Sequence, residues 1–141
     1  MPSYAEIYLR NIYEVVLSRH NSFSFSLIDF RDTPFFDRTF AIITAHNPYN
    51  QPLRSEENSL LDQRLYSDLY SDYEFLHAKG CLEDHCEDGY LVYDITLEDA
   101  IEIGRKYSQY AIFYNSGDTL SYISCADKRV IVEKKRLGRG L

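Results

Sequence analysis

The residues that could do chemistry fall into three groups. The first runs from His46 to Asn58, where an apolar stretch gives way to His46-Asn47-Pro48-Tyr49-Asn50-Gln51-Pro52. Two prolines and two asparagines make this a loop, because proline lacks the N–H for regular pairing and Asn favours turns. It delivers the chain to a helix whose N-terminus falls near Ser55, with Glu56, Glu57 and Asn58 in its first turn. Free N–H groups and the helix dipole suit a carboxylate or phosphate there, although Glu56 and Glu57 already occupy that field. Asn47 can equally lock the loop by bonding its own backbone.

Glu87 and Gln109 form the second group, each just ahead of a predicted strand. If those strands are neighbours, both side chains converge with His46, Asn47, Glu57 and Asn58 on one rim. A His and a carboxylate within hydrogen-bond reach are the minimum for general acid–base work. The alternative is that these groups only satisfy hydrogen bonds at element ends.

Cys81, His85 and Cys86 are the third group. Cys, His and Cys this close invite a zinc reading, but zinc sites usually pair one short knuckle with a remote second pair. Cys125 is the one distant thiol in the sequence. No metal and no cofactor is therefore expected. A Cys81–Cys86 disulfide would close a short loop under oxidising conditions. With three cysteines and no basic n-region leading into an apolar run, reduced thiols and a cytoplasmic setting are the expectation.

Other catalytic templates are missing from the sequence: no glycine-rich phosphate loop, nucleophile elbow, HExxH or CxxC occurs. The chain has 141 residues, 45% of them hydrophobic, which suits one domain with a real core. No apolar run approaches the roughly 20 residues of a membrane span. The net charge of −7 hides a basic end: residues 128–141 hold six Lys and Arg against one Glu. An acidic body argues against a nucleic-acid binder except through that end. Residues 134–141 are read as a flexible basic tail following a single domain over 1–133.

The elements that must position these groups follow from periodicity. Ser3 and Glu6 have capping-box spacing, and Ala5, Leu9, Ile12 and Val16 recur at helical intervals, which predicts a helix over 3–19. Phe23, Phe25 and Leu27 alternate with serines as a half-buried strand. The run Thr39–Ala45 is nearly continuously apolar and is expected at the centre of a sheet, with Ala41, Ile42 and Ile43 in the core together with Ile112. A long helix is predicted from Ser55 to about Lys79, carrying Leu61, Leu65, Leu69 and Leu76 inward and ending at Gly80. Tyr66, Tyr70 and Tyr73 are expected to border the core. Strands over 90–95, 110–114, 119–124 and 129–132 and a helix over 97–107 capped by Thr96 complete the chain. This order predicts an α+β fold, with helices on one face of a mixed or mainly antiparallel sheet.

From Phe40 to about Cys125 the chain resembles the bacterial domain of unknown function 3293 family. The resemblance rests on Thr44-Ala45-His46-Asn47-Pro48, Glu57-Asn58, Glu87-Asp88-Gly89-Tyr90-Leu91-Val92, and then Ala100, Gly104, Tyr107 and Gln109-Tyr110-Ala111-Ile112. It implies a shared fold unit and brings no chemistry with it; Cys81, His85 and Cys86 lie outside the shared pattern. The expected function is a non-enzymatic binding or interaction module for a protein or small polar ligand. The alternative is a small hydrolase-like enzyme acting on a polar or nucleotide-like substrate at the His46/Asn47/Glu57/Asn58/Glu87/Gln109 rim.

Overall fold

The computed structural model describes residues 3–30 and 36–136, and within them the chain forms three α-helices and eight strands. The helices are α1 (Tyr4–Arg10), α2 (Ser55–Tyr70) and α3 (Leu97–Lys106). The strands are β1 (Ile12–Ser18), β2 (Asn21–Phe25), β3 (Phe40–Thr44), β4 (Phe75–Leu82), β5 (His85–Tyr93), β6 (Ala111–Asn115), β7 (Thr119–Ser124) and β8 (Val130–Lys135). All eight join one sheet in the order β2-β1-β4-β5-β3-β6-β7-β8, and every pairing is antiparallel. The fold is single-domain α+β.

Strand β3 lies inside the sheet between β5 and β6, as its apolar run requires. Its alternate residues serve two cores: Ala41 and Ile43 join one cluster, Phe40 and Ile42 the other. Strand β5 divides in the same way, Tyr90 and Val92 to one side and Leu91 and Tyr93 to the other. Ala41, Ile42, Ile43 and Ile112 are all buried. On the first side, α2 and α3 close the core with Leu65, Leu69, Ala100 and Ile101. Gly104 lets α3 sit tightly there, since a Cβ on it would fall 2.6 Å from the Cys125 sulfur.

The other side is a trough. Tyr13 on β1 and Phe113 on β6 are four strand steps apart, roughly 19 Å along a flat sheet, yet their rings stand 5.3 Å apart. Phe25 on the edge strand β2 reaches Phe113 at 5.6 Å. The sheet therefore curls until its two halves share one aromatic core. Short α1 bridges the trough, with Tyr4 stacked on Tyr110 and Tyr8 on Tyr122, each at 4.4 Å.

Several expected boundaries are corrected. Ser3 does cap α1, accepting from the Glu6 N–H, but the helix stops at Arg10. Beyond Asn11 the chain is extended, because Tyr13 and Val15 point into the trough core while Glu14 between them pairs with Lys79. Helix α2 ends at Tyr70, and residues 75–79, expected to finish it, lie instead in β4 between β1 and β5. Gly80 is thus a strand residue, not a helix cap: a Cβ there would press the Tyr13 ring at 3.0 Å. Leu76 packs against the trough core from β4. Tyr66 and Tyr73 sit at the border of the other core as expected, but Tyr70 is 69% exposed.

The C-terminal boundary also moves. Lys134 and Lys135, expected in the tail, complete β8 opposite Leu120 and Thr119. Arg136 then donates from its backbone to Asp118 and from its guanidinium to the carbonyls of Phe36 and Gly117. Residues 137–141 of that tail lie outside the described residues.

Candidate functional site

Asn47 holds the junction between β3 and α2. It sits in the left-handed region (φ 50°), a conformation Asn tolerates. Its Oδ1 accepts from the Leu53 N–H and from Asn58 Nδ2, both at 2.9 Å, while its Nδ2 donates to Glu87 Oε2 at 2.7 Å. A carboxylate only accepts and a backbone N–H only donates, so the amide has one possible orientation. The Asn47 N–H donates in turn to Asn58 Oδ1 at 2.8 Å. Thr44 ties the strand end by donating to the Asp88 carbonyl and accepting from the His46 N–H. Gln109 Nε2 donates to the carbonyls of His46 (2.9 Å) and Tyr107 (3.2 Å).

Asn47, Asn58, Glu87 and Gln109 are thereby joined in one network, with His46 taking part through its backbone. The strands that follow Glu87 and Gln109 are not the neighbours that this convergence was expected to need: β3 lies between β5 and β6, and its pairing with both brings the two side chains to one rim. Glu57 stays outside the network. It faces Arg54, accepting at 3.2 Å from both the backbone N–H and the guanidinium, and those bonds hold its carboxyl below the usual range. It closes the first turn of α2, where an acid suits the helix dipole.

Next to this network the trough stays open as a cavity of about 180 Å³. Parity explains its position. On β5, Leu91 and Tyr93 fill the trough core, and their alternates Gly89, Glu87 and His85 run outward along the same face. Gly80 on β4 stands opposite Glu87, and Gly89 stands opposite Thr44 on β3. The two glycines let their neighbours close in: a Cβ on Gly80 would meet the Tyr13 ring at 3.0 Å, and one on Gly89 the Ile43 carbonyl oxygen at 2.5 Å. Tyr8 from α1, Asn11 at its C-cap, Tyr13 and Tyr122 complete the wall.

The polar atoms of this cavity are held unevenly. Glu87 has Oε2 engaged by Asn47, and His85 Nε2 stands 3.5 Å from that same oxygen. Asn11 Nδ2 donates to the Tyr122 hydroxyl at 3.0 Å. Burial first, then the neighbouring phenols, pushes the Tyr8 and Tyr13 hydroxyls well above their ordinary value. Burial likewise carries Tyr122 up to about 12, so all three remain neutral donors across the working pH range. The Glu87 side chain is 29% exposed and that of His85 66%.

His85 entered the sequence reading only as a metal candidate, with Cys81 and Cys86. Those two cysteines are directly opposed in the β4–β5 hairpin and joined by a disulfide. The expectation of reduced thiols is corrected: the register of the hairpin brings the sulfurs together, and bonded sulfurs cannot ligate a metal. Among the described residues, no group of three or more His, Cys, Asp and Glu is arranged to hold a metal ion. Cys125 is the free thiol, and burial beneath α3 pushes it up to about 11. His85, Asn11, Tyr8 and Tyr13 were missed because no strand is predicted between residues 45 and 90 and residues 3–19 read as one helix. An i, i+2 spacing of His85 and Glu87 on a strand is the signal that would have paired them.

Residues 43–112 match the model of a family described as Protein of unknown function (DUF3293). This segment belongs to that family. It contains the whole of the Asn47 network, from Ile43 ahead of the loop to Ile112 beyond Gln109, and also Gly89, where an added Cβ would fall 2.5 Å from the Ile43 carbonyl oxygen. The N-terminal wall of the cavity, Ile7 to Tyr13, and Tyr122 lie outside the matched residues. No curated protein and no solved structure matches the chain. No helix among the described residues is long and apolar enough to cross a membrane.

Proposed function

We propose that this chain is a binding domain for a small polar ligand, seated in the trough beside the Asn47 network. One observation carries the reading. Glu87 has one oxygen anchored by Asn47 and the other with no hydrogen-bond partner among the described residues, at a concave cavity. A carboxylate that served only as an internal lock would be buried and bonded at both oxygens. Enclosure by aromatic and aliphatic side chains with a few placed polar groups is the usual build of a small-ligand site. The size agrees: a cavity of roughly 150 Å³ admits benzene, and this one measures about 180 Å³.

The test is a fragment screen followed by two-dimensional amide NMR. Binding here shifts the amides of Glu87, Gly89, Gln109 and Ala111 together. Hits that leave those four unmoved, or that cluster between α2 and α3, overturn the reading.

The hydrolase-like alternative rests on the His85–Glu87 pair, whose 3.5 Å separation brings a base and a carboxylate to one cavity. Turnover of any ester, phosphoester or nucleoside that H85A abolishes without loss of fold would favour it over simple binding. A cytoplasmic setting, which we retain as part of the proposal, implies that Cys81 and Cys86 spend time as a dithiol, since cytosolic thiols are kept reduced.

A further inference from the structure

Given the binding reading above, the charge and hydrogen-bond inventory of the cavity names its ligand class. Among the lining residues there is one carboxylate, Glu87, and no Lys or Arg. Around it the protein has engaged amide donors and left acceptors. Gln109 commits its Nε2 to two backbone carbonyls and Asn11 its Nδ2 to Tyr122, and in each the side-chain oxygen has no bonded donor among the described residues. Glu87 keeps its Oε1 in the same condition. No fully buried side-chain nitrogen or oxygen among the described residues lacks a partner, so these oxygens are open to solvent. Three acceptors, one of them charged, beside the rings of Tyr8, Tyr13, Tyr110 and Tyr122, ask for a group that donates and is positive.

We infer that the cavity takes a small organic cation, a primary ammonium or guanidinium group carried on a ring-sized apolar body. The cation lies against Glu87 and donates toward Gln109 and Asn11, with its apolar part among the tyrosines. Charge-assisted hydrogen bonds to carboxylate and attraction to aromatic faces both favour that arrangement. An anion would meet the Glu87 charge with no Lys or Arg in the lining to offset it. His85 leaves the inference intact, because its ring approaches Oε2, the oxygen already taken by Asn47.

The test uses three probes of one shape: benzylamine as its ammonium, benzyl alcohol and benzoate. They are titrated in one buffer at mildly alkaline pH, with the Glu87, Gly89 and Gln109 amides read by NMR and affinity by calorimetry. The expected result is that benzylammonium binds at least about tenfold tighter than benzyl alcohol, a difference near 1.4 kcal/mol, and that benzoate is weakest. Glu87→Gln keeps an acceptor toward Asn47 and should erase the preference of ammonium over alcohol. Should that variant unfold, added salt on the native chain serves instead, weakening ammonium but not alcohol binding. Equal or tighter binding of the alcohol or benzoate at these amides overturns the cation assignment while leaving the site standing. If none of the three probes moves them, both this inference and the binding reading fall.

Discussion

Replacing Asn47 tests whether the junction of β3 with α2 is held as described. Asn47→Ala removes three hydrogen bonds at once. It leaves the Leu53 N–H and the buried Asn58 amide without their acceptor, and Glu87 without the donor at 2.7 Å. Two neutral bonds at about 1 kcal/mol each and one to a charged group at about 1.5 kcal/mol give about 3.5 kcal/mol. An alanine held at φ 50° adds about 1 kcal/mol more. The expected loss is about 4.5 kcal/mol in urea unfolding followed by far-UV circular dichroism. Asn47→Gly separates the two parts, because glycine accepts the left-handed backbone but restores no bond; it should recover about 1 kcal/mol relative to alanine. Asn47→Asp keeps an acceptor for Leu53 and Asn58 and sets a second carboxylate oxygen against Glu87. Two like charges there raise the folded-state pKa of the pair above its unfolded value. The penalty is therefore present at neutral pH and fades as pH falls and the pair takes up a proton. A loss under about 1 kcal/mol for alanine, or an aspartate variant whose stability ignores pH, would refute the network as drawn.

Other perturbations follow from the same geometry. Gly89→Ala places a Cβ 2.5 Å from the Ile43 carbonyl oxygen, so β5 and β3 must part; a loss of about 1–3 kcal/mol in chemical unfolding is expected, and a neutral result would mean the strands approach less closely. Deleting residues 134–141 removes two pairings of β8 and the Arg136 bonds, and should lower the melting temperature by about 5 °C or more; an unchanged melting curve would return Lys134–Arg136 to a solvated tail. Reducing Cys81–Cys86, five residues apart, should cost about 2 kcal/mol by loop entropy, seen as an earlier urea midpoint that a Cys81→Ser, Cys86→Ser variant reproduces without reductant; identical midpoints would exclude it. Burial pushes the Asp68 carboxyl up, but the Lys106 and Tyr107 hydrogen bonds outweigh it and leave its pKa lowered. Its contribution is then present above the unfolded pKa and lost as pH falls through the folded one. The urea midpoints of the native chain and Asp68→Asn should differ most above about pH 5 and converge in acid; a constant gap would contradict the ion pair.

Where neighbouring residues alone decide a conformation, the sequence determined it. Ser3 and Thr96 cap their helices, and the unbroken apolar run of β3 demanded cover on both faces, hence a place inside the sheet. The Pro-rich loop with Asn47 at its head was legible for the same reason, since turn chemistry acts over a few residues. The tertiary structure decided what pairing decides. Residues 12–18 and 75–82 carry apolar side chains that satisfy a helical period and an alternating one, and only the presence of β5 and of each other makes them strands. Every consequence for the site passes through that choice. Once 75–82 is β4, Gly80 faces Glu87, Cys81 meets Cys86, and His85 shares a face with Glu87. The curl that brings Tyr13 within 5.3 Å of Phe113 then closes a trough around them. Local propensity could not announce that trough, because its walls come from strands and a helix more than 100 residues apart, from Tyr8 to Tyr122, which touch only when the whole sheet has formed.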